Sequence, residues 1–353
     1  TRLRTVTGVQ TCALPIWTMK QAGFFDREER KKKLTATRDF LPRVNRFVAW
    51  ETFRPVLDEA LGRGDGAKGG RPPYDAVLMF KVLVLQALYN LSDEQTEYQI
   101  LDRQSFMDFL GLDLCDDVPD ARTIWLFRET LRKAGAAETL FATFDSMLGA
   151  QGFAASGGQI VDATFVEVPR QRNSRKENET VKNGETPEEW SEKKKAHKDT
   201  DARWTKKNNV SFYGYKNHAN VDRAHKFVRR YTVTDASVHD SRELDNVLDP
   251  SNDRQDVWAD SAYRSEEQEV RLKEKGCPSH IHERAYRNKP LTPEQEAANK
   301  ERSSVRSRVE HVFGHMENTM HGCFVRTIGI ARARAKIGLE NVAYNISRDR
   351  KST

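Results

Sequence analysis

A change of period is what most constrains this chain. Over residues 19–152 the apolar residues recur at three- and four-residue steps, as in Phe47, Trp50, Phe53, Val56 and Leu57, and residues 77–91 are apolar almost all the way round. That pattern predicts packed helices. After Gly157 the composition turns to β-branched and aromatic residues, and residues 159–168 (QIVDATFVEV) predict a strand. A hairpin is expected from residues 210–220 and 227–234, turning at Asp222 and Arg223. Behind it come a helix over 241–248, a short strand over 256–259 and a charged helix over 265–275. A strand near 280–282 and helices over 292–320 and 331–348 complete the series. Strands alternating with helices predict an α/β sheet covered by helices, preceded by an all-helical part.

Asp162 sits in the middle of the first predicted strand, with Ile160 and Val161 before it and Phe165 and Val166 after it. A carboxylate there is costly unless it meets a cation, a donor or a cleft. The pattern recurs where Val257, Trp258 and Ala259 run into Asp260. Two strands thus deliver an Asp near their ends, where the ligand crevices of α/β sheets lie. On the long helix Val305, Val309, Val312, Phe313 and Met316 form the apolar stripe, and Glu310 stands at its edge. Arg306, one turn earlier, can pair with Glu310 in a simple salt bridge, and Glu317, two turns later, is the rival third carboxylate. Three carboxylates offer the hard oxygen ligands that Mg²⁺ prefers, and can position two ions for in-line displacement at phosphorus.

The charge balance points to an anionic partner. The chain carries 58 Lys and Arg against 52 Asp and Glu, a formal net charge of +6. From residue 300 onward eleven basic residues face five acidic ones, so the excess is concentrated where a DNA backbone can be gripped. Residues 62–74 (GRGDGAKGGRPPY) form a Gly- and Pro-rich loop whose Arg71 can touch phosphate. Residues 169–209 hold twelve basic and eight acidic residues and are expected to be an exposed insertion, ordered in part only on DNA. Four scattered cysteines, Cys12, Cys115, Cys277 and Cys323, fit a reducing cytoplasm. The longest apolar run, 77–89, is too short to span a bilayer. Residues 1–18 share no period with the helical stretch beginning at Met19 and are expected to be a non-native extension.

Several stretches carry a resemblance. GGRPPYDAVLMFKVLVLQALYNLSDEQTEYQI at 69–100, IVDATFVEVPRQRN at 160–173, TDARWTKKNNVSFYGYKNHANVD at 200–222, DASVHDS at 235–241, ADSAYRS at 259–265 and RVEHVFGHM at 308–316 are similar to the insertion-sequence five family of bacterial DDE transposases. The likeness covers nearly everything after Met19. It implies a ribonuclease H-like catalytic domain with an inserted segment over 153–353 and a helical DNA-binding domain over 19–152. It also implies Mg²⁺ dependence, with Mn²⁺ as a substitute, and cleavage and strand transfer at terminal inverted repeats. The family's acidic triad falls on Asp162, Asp260 and Glu310, which prefers Glu310 to Glu317, and Arg308 fits its pattern as a DNA phosphate contact.

Further DNA contacts are expected from Arg306, from Lys206 and Lys207 beside Trp204, and from Lys216. His239 and Asp240, following a strand, are placed to support the metal ligands or to cap a helix. Cys277, His280, His282, His311, His315, His321 and Cys323 match no closed zinc spacing. The partner expected is double-stranded DNA at the nucleoid, and pairing two DNA ends implies at least a dimer. A DNA-binding regulator of the same element, without chemistry, is the competing reading.

Overall fold

A computed structural model describes residues 23, 25–36, 40–62, 72–207, 209–285 and 290–348. The extension 1–18 and Arg71 lie outside the described residues. The first forty residues form a unit of their own, in which Asp26–Ala36 is a charged helix, α1. The remainder, Leu41 to Thr353, is a second unit.

The second unit begins with helices: α2 (Leu41–Phe47), α3 (Arg54–Leu61), α4 (Ala76–Tyr89), α5 (Asp93–Asp102), α6 (Gln104–Leu110), α7 (Ala121–Lys133) and α8 (Ala136–Ala150). α4 is apolar all round because it is buried all round, and Asp75 caps it by accepting from the amides of Val77 and Leu78. α5 opens with a capping box made by Ser92 and Gln95. Trp50, Phe53, Phe80, Phe109 and Phe144 pack their rings around α4, so the helical period of the sequence becomes an aromatic core.

Five strands follow: β1 (Gln159–Glu167), β2 (Arg203–Lys207), β3 (Val210–Asp222), β4 (Val228–Asp235) and β5 (Val257–Ala259). β3 pairs antiparallel with β1 along one edge, and with both β2 and β4 along the other. β5 pairs parallel with β1, with Val161 opposite Ala259. The strand expected near 280–282 is reduced to a parallel bridge between Val257 and Ser279, although the amides of His280 and His282 still donate to Val257 and Ala259. Gly214 is required in β3: its φ is +150°, and a Cβ there would stand 2.3 Å from the Val166 carbonyl oxygen.

Residues 169–209 are more structured than their polarity suggests. They hold α9 (Arg175–Lys182), α10 (Glu192–Ala196) and β2. Trp190 and Val181 are buried, and the indole donates to Glu177 at 2.6 Å. Buried Asp199 accepts from the phenol of Tyr215 at 2.7 Å, which anchors the segment to β3. A small apolar nucleus and a few buried hydrogen bonds thus order a stretch whose average composition reads as solvated.

The remaining helices are α11 (Leu244–Val247), α12 (Glu266–Glu274), α13 (Pro293–Asn318) and α14 (Ile330–Arg348). α14 packs on α4 and α8 and also on β3 and β4. Its buried asparagines bind the sheet: Asn341 exchanges hydrogen bonds with Asn217, and Asn345 accepts from the Val228 amide at 2.9 Å and donates to the Val228 carbonyl at 2.8 Å. Among the described residues no single helix is long and apolar enough to cross a membrane.

Candidate active site

β1 carries Asp162 one residue past Val161, and β5 ends at Ala259, one residue before Asp260. Because Val161 and Ala259 are register partners on parallel strands, Asp162 and Asp260 come next in step; only Asp260 stands past a strand end, since Asp162, expected near one, lies mid-strand in a β1 that runs on to Glu167. Neighbouring strands are about 4.8 Å apart and equal parity means the same face, so the two carboxylates share one rim. Asp260 caps the 3₁₀ turn Ser261–Tyr263 by accepting from the Ser261 amide at 2.6 Å. Asp162 accepts from the Ala163 amide at 2.8 Å.

Above this rim runs α13. Its Arg306 donates to Asp162 Oδ2 at 2.9 Å and to Glu310 Oε1 at 2.7 Å, so one guanidinium joins the strand acid to the helix acid. The Asp162 side chain is 15% exposed and that of Glu310 58%, so the guanidinium joins a buried acid to one on the solvent side. Burial pushes the Asp162 carboxyl up to about 6, with Asp260 adding to the rise, while Arg306, the Ala163 amide and Lys207 oppose it. In this conformation no group of three or more His, Cys, Asp or Glu side chains among the described residues is close enough to hold a metal ion. Arg306 lies between Asp162 and Glu310, bonded to both.

Two further side chains border the rim. Tyr263, on the turn that Asp260 caps, is 1% exposed and its hydroxyl has no hydrogen-bond partner among the described residues. Burial holds its phenol protonated, reinforced by Asp162, Asp240, Asp260 and Glu243. His282 donates its amide to Ala259, beside Asp260, and burial together with the Arg306 charge lowers its pKa. The three-residue step from Asp260 to Tyr263 is visible in the sequence. The position of His282 depends on its pairing beside β5, which the sequence leaves open.

The other expected site residues separate. Lys206 and Lys207 are exposed on β2, and the Lys207 ammonium lies 5.9 Å from the centre of the Phe165 ring, which stacks on Phe212 at 4.3 Å. Lys216, expected to reach DNA, is instead buried and spent internally, donating to the Val238 carbonyl at 2.7 Å and to Asp240 at 2.8 Å. Its place opposite Phe165 on the packed face of β3 accounts for this. Arg308 donates to the Arg223 carbonyl at 2.7 Å, tying α13 to the turn between β3 and β4. Asp240 neutralises Lys216, while His239 is exposed and bonds to Ser241 at the start of a 3₁₀ turn.

Two family models match the chain. One, described as "Transposase DDE domain", covers residues 154–346, and the other, described as "Transposase domain (DUF772)", covers residues 28–130. A solved structure described as a cryo-EM structure of a piggyBac transposase synaptic complex with hairpin DNA aligns over 83% of this chain and 70% of that one, at 11% identity and a TM-score of 0.40. So distant a likeness carries no argument here.

Proposed function

The chain belongs to the DDE-domain transposases, and from that premise we propose that it cuts and joins DNA at the terminal inverted repeats of an insertion sequence of the insertion-sequence five type, using Asp162, Asp260 and Glu310. One observation carries the reading: two Asp residues emerge in register from adjacent parallel strands, beneath a helix whose Glu310 is linked to the same rim. The central β1, flanked by an antiparallel β3 and a parallel β5, supports a ribonuclease H-like core.

The donors fit Mg²⁺ or Mn²⁺ in kind, since all three are hard carboxylate oxygens. The metal, when bound, would activate the attacking oxygen and stabilise the leaving oxygen. Asp162 and Asp260 are the fixed pair, because each lies on or beside the sheet and binds a neighbouring main-chain amide. Glu310 is the exposed member, on a helix and held by Arg306. Asp162, Asp260 and Glu310 would hold the ion, whose charge would offset the mutual repulsion of Asp162 and Asp260; Arg306, which bonds Asp162 and Glu310 here, would have to release them for the three to share it. Buried Tyr263 and partly buried His282 limit water behind the acids. A regulator without chemistry has no use for three carboxylates on a DNA-facing rim, where they repel phosphate.

The test uses purified chain, a labelled duplex bearing the element's end, and Mg²⁺ or Mn²⁺. Asp162→Asn, Asp260→Asn and Glu310→Gln are each expected to lower cleavage by at least about 100-fold while leaving duplex binding without metal intact. Cleavage by any of them at the parent rate removes that residue from the site.

A further inference from the structure

A cleft of roughly 400 Å³ opens between α5, α7 and the segment running from Arg326 into α14. Its wall carries five basic side chains, Arg128, Arg132, Arg326, Arg332 and Lys336, against three acids, Asp93, Glu94 and Glu129. Asp93 is consumed by Arg128, whose second nitrogen donates at 2.8 Å. Glu129 is shared between Arg132 at 3.1 Å and Arg332 at 2.8 Å. Arg326 and Lys336 pair with no carboxylate among the described residues. Arg326 is exposed at the mouth with its guanidinium 5.6 Å from the Phe324 ring centre, and the Lys336 ammonium reaches only the Asn90 side-chain oxygen at 3.1 Å.

This is an unbalanced arrangement. Burial, with the charges of Arg128 and Arg326, lowers the Lys336 pKa although Glu340 opposes it. An anion entering the cleft would therefore meet, in Lys336 and Arg326, two cations with no carboxylate in hydrogen-bonding contact among the described residues. Beside these cations stands Trp125, an indole 46% exposed on α7 and part of the same wall. Exposed tryptophan next to unpaired guanidinium and ammonium groups offers one surface for a base and another for its phosphate.

We infer that this cleft is a nucleotide site, in which Arg326 and Lys336 take a phosphate and Trp125 takes the adjoining base or sugar. It lies on helices apart from the carboxylate rim and needs none of the chemistry proposed there. DNA as the source of the nucleotide rests on the reading of the chain as a transposase; a free nucleotide would use the same groups.

The experiment measures binding of the full chain to a fluorescein-labelled 20-base-pair duplex by anisotropy across a salt series, with isothermal titration of dAMP as the second arm. Arg326→Gln is expected to weaken duplex binding several-fold and to reduce the slope of log K against log salt by about 0.9, one phosphate's worth. Trp125→Ala is expected to weaken binding with the slope unchanged. Glu94→Gln removes a negative charge from the cleft wall and is expected to tighten binding, a gain that a misfolded variant cannot mimic. If the duplex is indifferent to all three changes but dAMP binds the parent and not Arg326→Gln, the site takes a free nucleotide. If neither probe responds to any of the three, the cleft is no nucleotide site, whatever the chain does elsewhere. A parent that binds no duplex at all would count against the DNA reading itself.

Discussion

Asp162 shows what a single residue discloses in advance and what it withholds. Its position inside an apolar strand marks it as unusual, and the same reasoning reaches Asp260. That the two stand side by side depends on β5 pairing parallel with β1 in one register, which no local pattern encodes. Arg306 is legible as a partner for Glu310 one helical turn away, but not as a bridge to a strand 144 residues earlier. Arg306→Gln is expected to lower the stability of the metal-free protein by about 1–3 kcal/mol, the cost of leaving buried acid without its donor. Added Mn²⁺ should then raise the melting temperature of the variant more than that of the parent; equal increments would sink the bridging role. His218 gives a pH prediction. It is fully buried, bonded to Thr234 at 2.9 Å, and burial lowers its pKa to about 4. The unfolded chain therefore binds the proton more readily between pH 6.5 and 4, so stability falls as pH drops through that window. Replacing His218 by Gln should flatten the loss by up to about 3 kcal/mol, read from urea unfolding at pH 7 and pH 4.5.

Elements with their own period are legible as elements. The apolar run of α4, the β-branched run of β1 and the capped starts of α5 and α13 each carry a local signal that packing then uses. β2 carries none: RWTKK is short and basic, and it becomes a strand only because residues 210–214 of β3 offer it an edge. The same holds for Trp190, which is buried with its indole bonded to Glu177 and covered by Lys194 and Lys198, an arrangement that composition does not disclose. Gly214 marks where β1, β2 and β3 crowd together. Gly214→Ala would drive a methyl group into the main chain of β1, which cannot move aside, so a loss of at least about 2 kcal/mol is expected in denaturant unfolding. A variant as stable as the parent would mean that β3 enters the sheet differently.

At the scale of the molecule, the helical part and the sheet are joined by charge as well as by apolar contact. Arg229, 4% exposed on β4, donates to Asp222 at 3.0 Å, to Asp145 of α8 at 2.7 Å and to the Phe153 carbonyl at 2.7 Å. Removing the guanidinium strands Asp222 in the interior. Arg229→Met is expected to destabilise the protein by about 3–5 kcal/mol, and a double change with Asp222→Asn should recover part of that loss; no recovery would show that Asp222 is satisfied without Arg229. Such a junction is not legible in local sequence, because its members come from two segments about 80 residues apart, one around Asp145 and Phe153 and the other the hairpin of Asp222 and Arg229.

The position of α14 bears on how the protein is made. Both the aromatic helices and β3 and β4 rest on this one helix, and its asparagines close the hydrogen bonds of the sheet. Contacts so distant in sequence form late and slowly. Residues 330–348 must therefore have left the ribosome before the helices and the sheet can dock on the helix they share. A message cut short upstream of them would leave β3 and β4 without the asparagines that satisfy their side-chain and main-chain hydrogen bonds.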